Sequence, residues 1–178
     1  YEISACLVGS EMCIRDSTLD EGFKNDMDSA ASIGRRLAAM KAFYRAGVRT
    51  TCFISPIFPG ITDVKAIIGR VKGQCNLIWL ENLNLRGSCK TVILGYIQEK
   101  YPALLPLYRE IYQKGSRSYW ERLDERLRAY AAETGLAYVT NDDSMKRPFE
   151  APPAIVNYFY HEQVRKRAAR AGGLPGRA

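Results

Sequence analysis

Two short polar groupings stand directly behind apolar, β-branched runs, the arrangement that carries reactive groups to the tip of a strand. The first lies in FISPIFPGITD, Phe53 to Asp63, where Ser55 ends the run VRTTCFI and Pro56 and Pro59 constrain the path of the chain. The second is ENLNLRG, Glu81 to Gly87, where Glu81, Asn82, Asn84 and Arg86 crowd the exit of NLIWL. A hydroxyl, a carboxylate and two amides offer donors and acceptors suited to a ribose, an amino-acid moiety or a base. The two asparagines are equally suited to satisfying loop backbone groups. Other chemistries lack their patterns: there is no phosphate-cradling Gly loop, no G-x-S-x-G elbow and no Cys/His zinc spacing. His161 is the only histidine and sits among charged residues, so it reads as a surface side chain and leaves a serine or cysteine nucleophile without a well-placed base. Hydrolysis is disfavoured on these grounds.

The elements that position these groups follow an α/β rhythm. Ser32 is placed to cap a helix in which Ile33, Leu37, Met40 and Phe43/Tyr44 form one stripe, closing at Gly47. VRTTCFISPI, Val48 to Ile57, reads as a buried strand. Thr62 or Asp63 caps a short helix with Val64, Ile67, Ile68 and Val71 inward, and Asn76 to Leu80 is the next strand. Helix, turn, apolar strand, polar loop and helix in alternation point to a parallel sheet or barrel, whose reactive groups lie at the C-terminal ends of the strands. After Gly87 three helical stretches are expected (KTVILGYIQEKYP, ALLPLYREIYQKG and SYWERLDERLRAYAAETG), then a weak strand at Ala137 to Thr140. A proline-rich linker around Pro148 and Pro152-Pro153 leads into a final amphipathic helix over IVNYFYHEQVRKRAARA.

The 178 residues, 47% of them hydrophobic, suffice for one domain with a core. No apolar run reaches the ~20 residues that cross a bilayer, so a cytoplasmic protein without membrane association is expected. Cys6, Cys13, Cys52, Cys75 and Cys89 fall at no metal-ligand spacing, and an odd count argues against a disulfide framework. Cys52 and Cys75 lie in or beside apolar runs and read as small hydrophobes. Much of the net charge of +7 comes from the tail, where Arg165, Lys166, Arg167, Arg170 and Arg177 face a single acid, Glu162. This reads as the solvated face of a last helix, with a phosphate-tracking segment as the alternative.

Residues 6–17, CLVGSEMCIRDS, resemble the single-frame translation of a transposase-based sequencing adapter. The stretch shows no helical or alternating period joining it to the residues after it. It is therefore expected to be foreign to the gene, with native sequence from Thr18 and an upstream part missing. Residues 1–17 hold three acids and one arginine, so the remainder carries +9.

Arg35 to Asp63 (RRLAAMKAFYRAGVRTTCFISPIFPGITD), IWLENLNLRG (Ile78 to Gly87) and YPALLPLYREIY (Tyr101 to Tyr112) resemble the spore photoproduct lyase-like group of radical S-adenosylmethionine (SAM) proteins, in particular the small radical SAM mobile pair type. TLDEGF at Thr18 looks like the end of that group's S-x-T-T-x-D-E segment. The resemblance covers most of residues 18–160. It implies an α/β fold, the C-terminal part of a partial (β/α)6 TIM-like barrel followed by C-terminal helices. FISPI would be the fifth strand and IWLEN the sixth, with Ser55, Glu81, Asn82 and Asn84 facing the barrel mouth as cofactor-binding residues.

For the full-length protein the resemblance implies a [4Fe–4S] cluster held by a CxxxCxxC loop, and SAM cleaved reductively to a hydrogen-abstracting radical. It also implies a possible DNA-repair-like lyase activity, a possible nucleic-acid substrate and a possible partner radical SAM protein. No CxxxCxxC occurs in this chain, so no metal ligands are assigned and the chain alone is expected to be inactive. The expected organisation is a foreign segment at 1–17, barrel from 18 to 145, and linker with basic helix from 146 to 178. Two other readings stay open: another α/β-barrel enzyme acting on a phosphorylated metabolite, and a non-catalytic basic nucleic-acid-binding module.

Overall fold

Five short strands, all parallel, form the centre of the molecule in a computed structural model that describes residues 11–140 and 154–159. In chain order the elements are β1 (Glu11–Arg15), α1 (Glu21–Met27), α2 (Ile33–Arg45), β2 (Arg49–Ile57), α3 (Val64–Val71) and β3 (Leu77–Asn82). They continue with α4 (Gly87–Lys100), a single 3-10 turn at Pro102–Leu104, α5 (Leu105–Tyr112), α6 (Ser118–Thr134), β4 (Ala137–Thr140) and β5 (Ala154–Asn157). The spatial order is β1-β2-β3-β5-β4, so the last strand inserts between β3 and β4. The expected α/β class with parallel strands is what the chain adopts, as a sheet with helices packed on it. Among the described residues no helix is long and apolar enough to cross a membrane.

Local chemistry accounts for the element boundaries. Asp20 starts α1 by accepting from the Gly22 and Phe23 amides, Ser32 starts α2 by accepting from Arg35, and Asp63 starts α3 by accepting from Ala66. At the other end of α6, Gly135 takes the left-handed conformation, φ 68°, that closes a helix without a Cβ clash.

One face of the sheet, with Ile14, Cys52, Ile54, Ile78, Leu80 and Ile155, packs against α2, α3 and α6. Ile54, Ile78 and Leu80 are fully buried, and each such side chain contributes about 1.5–3 kcal/mol relative to exposure. A second, smaller core forms over the C-terminal ends of β2 and β3, where Phe23, Phe58, Leu83, Ile97 and Tyr108 meet.

Two segments differ from the sequence expectation. Glu11–Arg15, in the stretch without visible period, is edge strand β1, in register from Glu11↔Arg49 to Arg15↔Phe53. Its Met12 and Ile14 turn toward the helices, and two alternating positions are too few to register as a period. Ala154–Asn157, expected to open the final helix, is instead strand β5, paired with β3 on one side and β4 on the other. Ile155 and Val156 are buried on opposite faces, and a short run buried on both sides shows no alternation that distinguishes it from a helix. Strand β5 also places residues beyond 145 in the same sheet. The proline linker and the basic residues from 162 onward lie outside the described residues.

Candidate functional site

The C-terminal tips of β2 and β3 lie side by side in the middle of the sheet. From Ile54 to Ile57, β2 takes three steps where β3 takes two, from Leu80 to Asn82. The extra residue falls at Ser55–Pro56, whose peptide is cis. Such a bulge re-aims side chains, and Pro56 has no N–H to give to the ladder. Ser55 itself continues the register of Ile54↔Leu80 and faces Glu81, and its hydroxyl donates to Glu81 Oε2 at 2.6 Å. Ser55 is buried and Glu81 is exposed, so the pair presents a carboxylate to solvent with one oxygen already oriented from below.

Two residues earlier along each strand, on the same face by strand alternation, the neighbours are aromatic. Phe53 meets Trp79 edge to face, with ring centroids 6.2 Å apart. Trp79 stacks on Tyr158, just past β5, at 5.0 Å and 22°. Arg15 of β1 lies over the Phe53 ring at 5.6 Å. None of Phe53, Trp79 and Tyr158 belongs to either apolar core, and all three are half-buried. The Trp79 indole Nε1 is buried and has no hydrogen-bond partner, a donor left over on a wall that otherwise offers π surfaces and a carboxylate.

The loops behind this wall are held firmly. Thr62 Oγ1 accepts from the Phe58 amide (2.9 Å) and donates to the Ser17 carbonyl (2.8 Å). The Gly60 amide donates to the Tyr119 hydroxyl at 3.1 Å. Gly60 has φ 77°, a backbone conformation that favours glycine, and a Cβ there would lie 2.9 Å from the Leu104 side chain, which would have to shift. Tyr112 donates to the Leu83 carbonyl at 3.0 Å, tying α5 to the exit of β3.

Of the four residues singled out from sequence, Ser55 and Glu81 are in direct contact. Asn82 Nδ2 donates to the Leu83 carbonyl at 3.4 Å, and Asn84 Oδ1 accepts from Arg86 Nε at 3.2 Å within the loop. Sequence reading missed the aromatic wall, although its signal was present: Phe53 and Trp79 each stand two residues before Ser55 and Glu81. Tyr158 was hidden by the helical reading of its segment, and Arg15 by setting residues 6–17 aside.

Among the described residues no group of three or more His, Cys, Asp or Glu could hold an ion. Cys52 and Cys75 are fully buried. Burial pushes the Cys52 thiol well up and the Cys75 thiol to about 12, which makes both inert as thiolates.

Two aspartates flank the sheet on its helix-covered face and behave oppositely. Asp16, beyond β1, pairs with Arg36 at 2.7 Å. Burial nevertheless raises its carboxyl to about 6, because it outweighs the guanidinium. Asp124 of α6 also feels burial, yet hydrogen bonds from Tyr138, Arg128 and Asn157 hold it below the usual range.

No family model matches this chain, and no solved structure does. Among curated proteins it is similar to an uncharacterized protein of Methanocaldococcus jannaschii, 32% identical over 93 residues, covering 52% of this chain and 35% of that protein. It is also similar to uncharacterized proteins of Mycobacterium bovis and Mycobacterium tuberculosis, each 30% identical over 129 residues, 68% of this chain and 37% of theirs. The chain thus spans about a third of the length of the curated relatives it matches.

Proposed function

We propose that this chain is the C-terminal part of a radical SAM barrel, and that its Ser55–Glu81 pair and the aromatic residues beside it form the wall that meets the nucleoside of SAM. The observation that carries the reading is the 2.6 Å hydrogen bond from Ser55 to Glu81 at the tips of adjacent parallel strands. It leaves an oriented carboxylate next to π surfaces and an unpartnered indole N–H. A carboxylate accepts from a ribose diol, an aromatic wall takes a flat base, and the indole N–H donates to a ring nitrogen or hydroxyl. These residues fit the nucleoside of SAM. Asn82 and Asn84 belong to the rim of the same exit.

The cluster is a different matter, since the described cysteines are buried apart from Cys89 and Cys13 and offer no ligand set. On this reading the [4Fe–4S] ligands belong to the longer protein, where reductive cleavage of SAM supplies the radical chemistry. A lyase-like reaction on nucleic acid and a partner radical SAM protein are proposals for that longer protein. Residues 6–17 are then adapter-derived, and β1 occupies the position of the barrel's fourth strand. Genomic DNA reading unbroken through codons 6–17 would sink that origin.

Titration of the chain with SAM, followed by tryptophan fluorescence, tests the reading. Saturable binding is expected, with Glu81→Ala weakening it by roughly tenfold or more, the loss of a charge-assisted contact. Binding that is absent, or indifferent to Glu81, overturns it. Anaerobic incubation with iron and sulfide is expected to give no stoichiometric iron–sulfur absorbance near ~400 nm.

A further inference from the structure

The aromatic wall is held from the opposite side of the sheet. We infer that Asp124 of α6 is a positioning residue that acts through Asn157 to set the Tyr158 ring against Trp79. Asp124 Oδ1 accepts from the Tyr138 hydroxyl at 2.6 Å and from Asn157 Nδ2, while its Oδ2 accepts from Arg128 Nε at 2.8 Å. Asn157 Nδ2 also donates to the Tyr138 oxygen at 3.1 Å. The other end of the same amide is engaged too, since Asn157 Oδ1 accepts from the Phe159 amide at 2.8 Å.

A side-chain amide held at both ends fixes the plane of the chain that turns around it. Tyr158 is the residue inside that turn, and its own N–H donates to the Leu80 carbonyl at 2.8 Å. With Asn157 locked toward α6, alternation sends Tyr158 to the other face, where it stacks on Trp79 at 5.0 Å. Helix α6 therefore acts, through Asn157, on a ring that stacks across the sheet from Asp124. Nothing else in the cluster suggests a reactive role: Asp124 has all its donors within the fold, and Arg128 stacks over Tyr138 at 4.8 Å.

Relevance to SAM rests on the function proposed above, but the stacking itself does not, so two measurements separate the failures. The near-ultraviolet circular dichroism difference between the intact chain and Tyr158→Ala reads the Trp79–Tyr158 pair without ligand, and a Tyr138→Phe control removes the contribution of the Tyr138 hydroxyl. Asp124→Ala is expected to remove as much of that signal as Tyr158→Ala does, with far-ultraviolet signal unchanged. Asp124→Asn keeps a carbonyl acceptor and is expected to restore it. Should Asp124→Ala not fold, Asn157→Ser cuts the link one step nearer the ring and carries the same expectation.

In SAM titrations, Asp124→Ala is expected to weaken binding about three- to tenfold, the scale of one aromatic contact. In a Tyr158→Ala background it should weaken binding no further. An unchanged near-ultraviolet signal in folded Asp124→Ala, or independent additive losses of affinity, overturns the inference. A chain that binds no SAM yet loses the near-ultraviolet signal overturns only the proposed function.

Discussion

The two faces of the sheet are built from the same strands and obey different rules. On one, Ile54, Ile78, Leu80 and Ile155 meet three helices in an apolar core, with polar groups only at its margins. On the other, one residue away along each strand, stand Phe53, Trp79, the Ser55–Glu81 pair and the stacked Tyr158. The first face gains from the area it removes from water and depends little on orientation. The second depends on ring planes and hydrogen-bond directions. The larger apolar core lies on one side and the directional contacts on the other, so neighbouring substitutions should have unlike consequences.

The largest expected contrast is between Ile78 and the ring beside it. Ile78→Ala empties a fully buried site and should cost roughly 2–5 kcal/mol, read as a lower urea midpoint. Equal tolerance on the two faces would break the comparison.

Next comes the pH dependence at the edge of the helix-covered face. Asp16 binds its proton more tightly in the folded chain, about 6 against an ordinary 3.8. Its contribution is therefore fully present below pH 3.8 and lost as pH rises through about 6, with Asp16→Asn flattening that slope in urea melts from pH 4 to 7. Asp124 has the opposite sign, since its lowered value contributes stability at neutral pH that is lost as acid titrates it. A slope between pH 4 and 6 that persists in Asp16→Asn would show that another group sets it.

The smallest expected effect is Tyr158→Leu, which removes a stack of about 0.5–1.5 kcal/mol while keeping an apolar side chain. A loss in the range of Ile78→Ala would place Tyr158 with the core instead of the site.

The parts of this molecule legible in its sequence are those with a local cause. Ser32 and Asp63 announced their helices because a cap needs only a side chain and the next turn. β2 was visible as a β-branched and aromatic run, and β3 as a short apolar one, each closed by a polar exit. Pairing of Ser55 with Glu81 was less visible, because it depends on the register between two strands whose partners are distant in sequence. Strand β5 was read as helix because its meaning is set by neighbours distant in sequence, β3 and β4. The tie from Asp124 to Asn157 crosses from helix to strand between segments with no shared pattern, so no spacing rule could reveal it.

The insertion of β5 between β3 and β4 also sets an order of events during synthesis. When Ala137–Thr140 leaves the ribosome, its lateral partner does not yet exist, and docking on β3 would occupy the wrong slot. The final ladder thus forms only once Ala154–Asn157 is present between β3 and β4. The sheet is therefore completed from its interior, and the ring that finishes the aromatic wall arrives with β5.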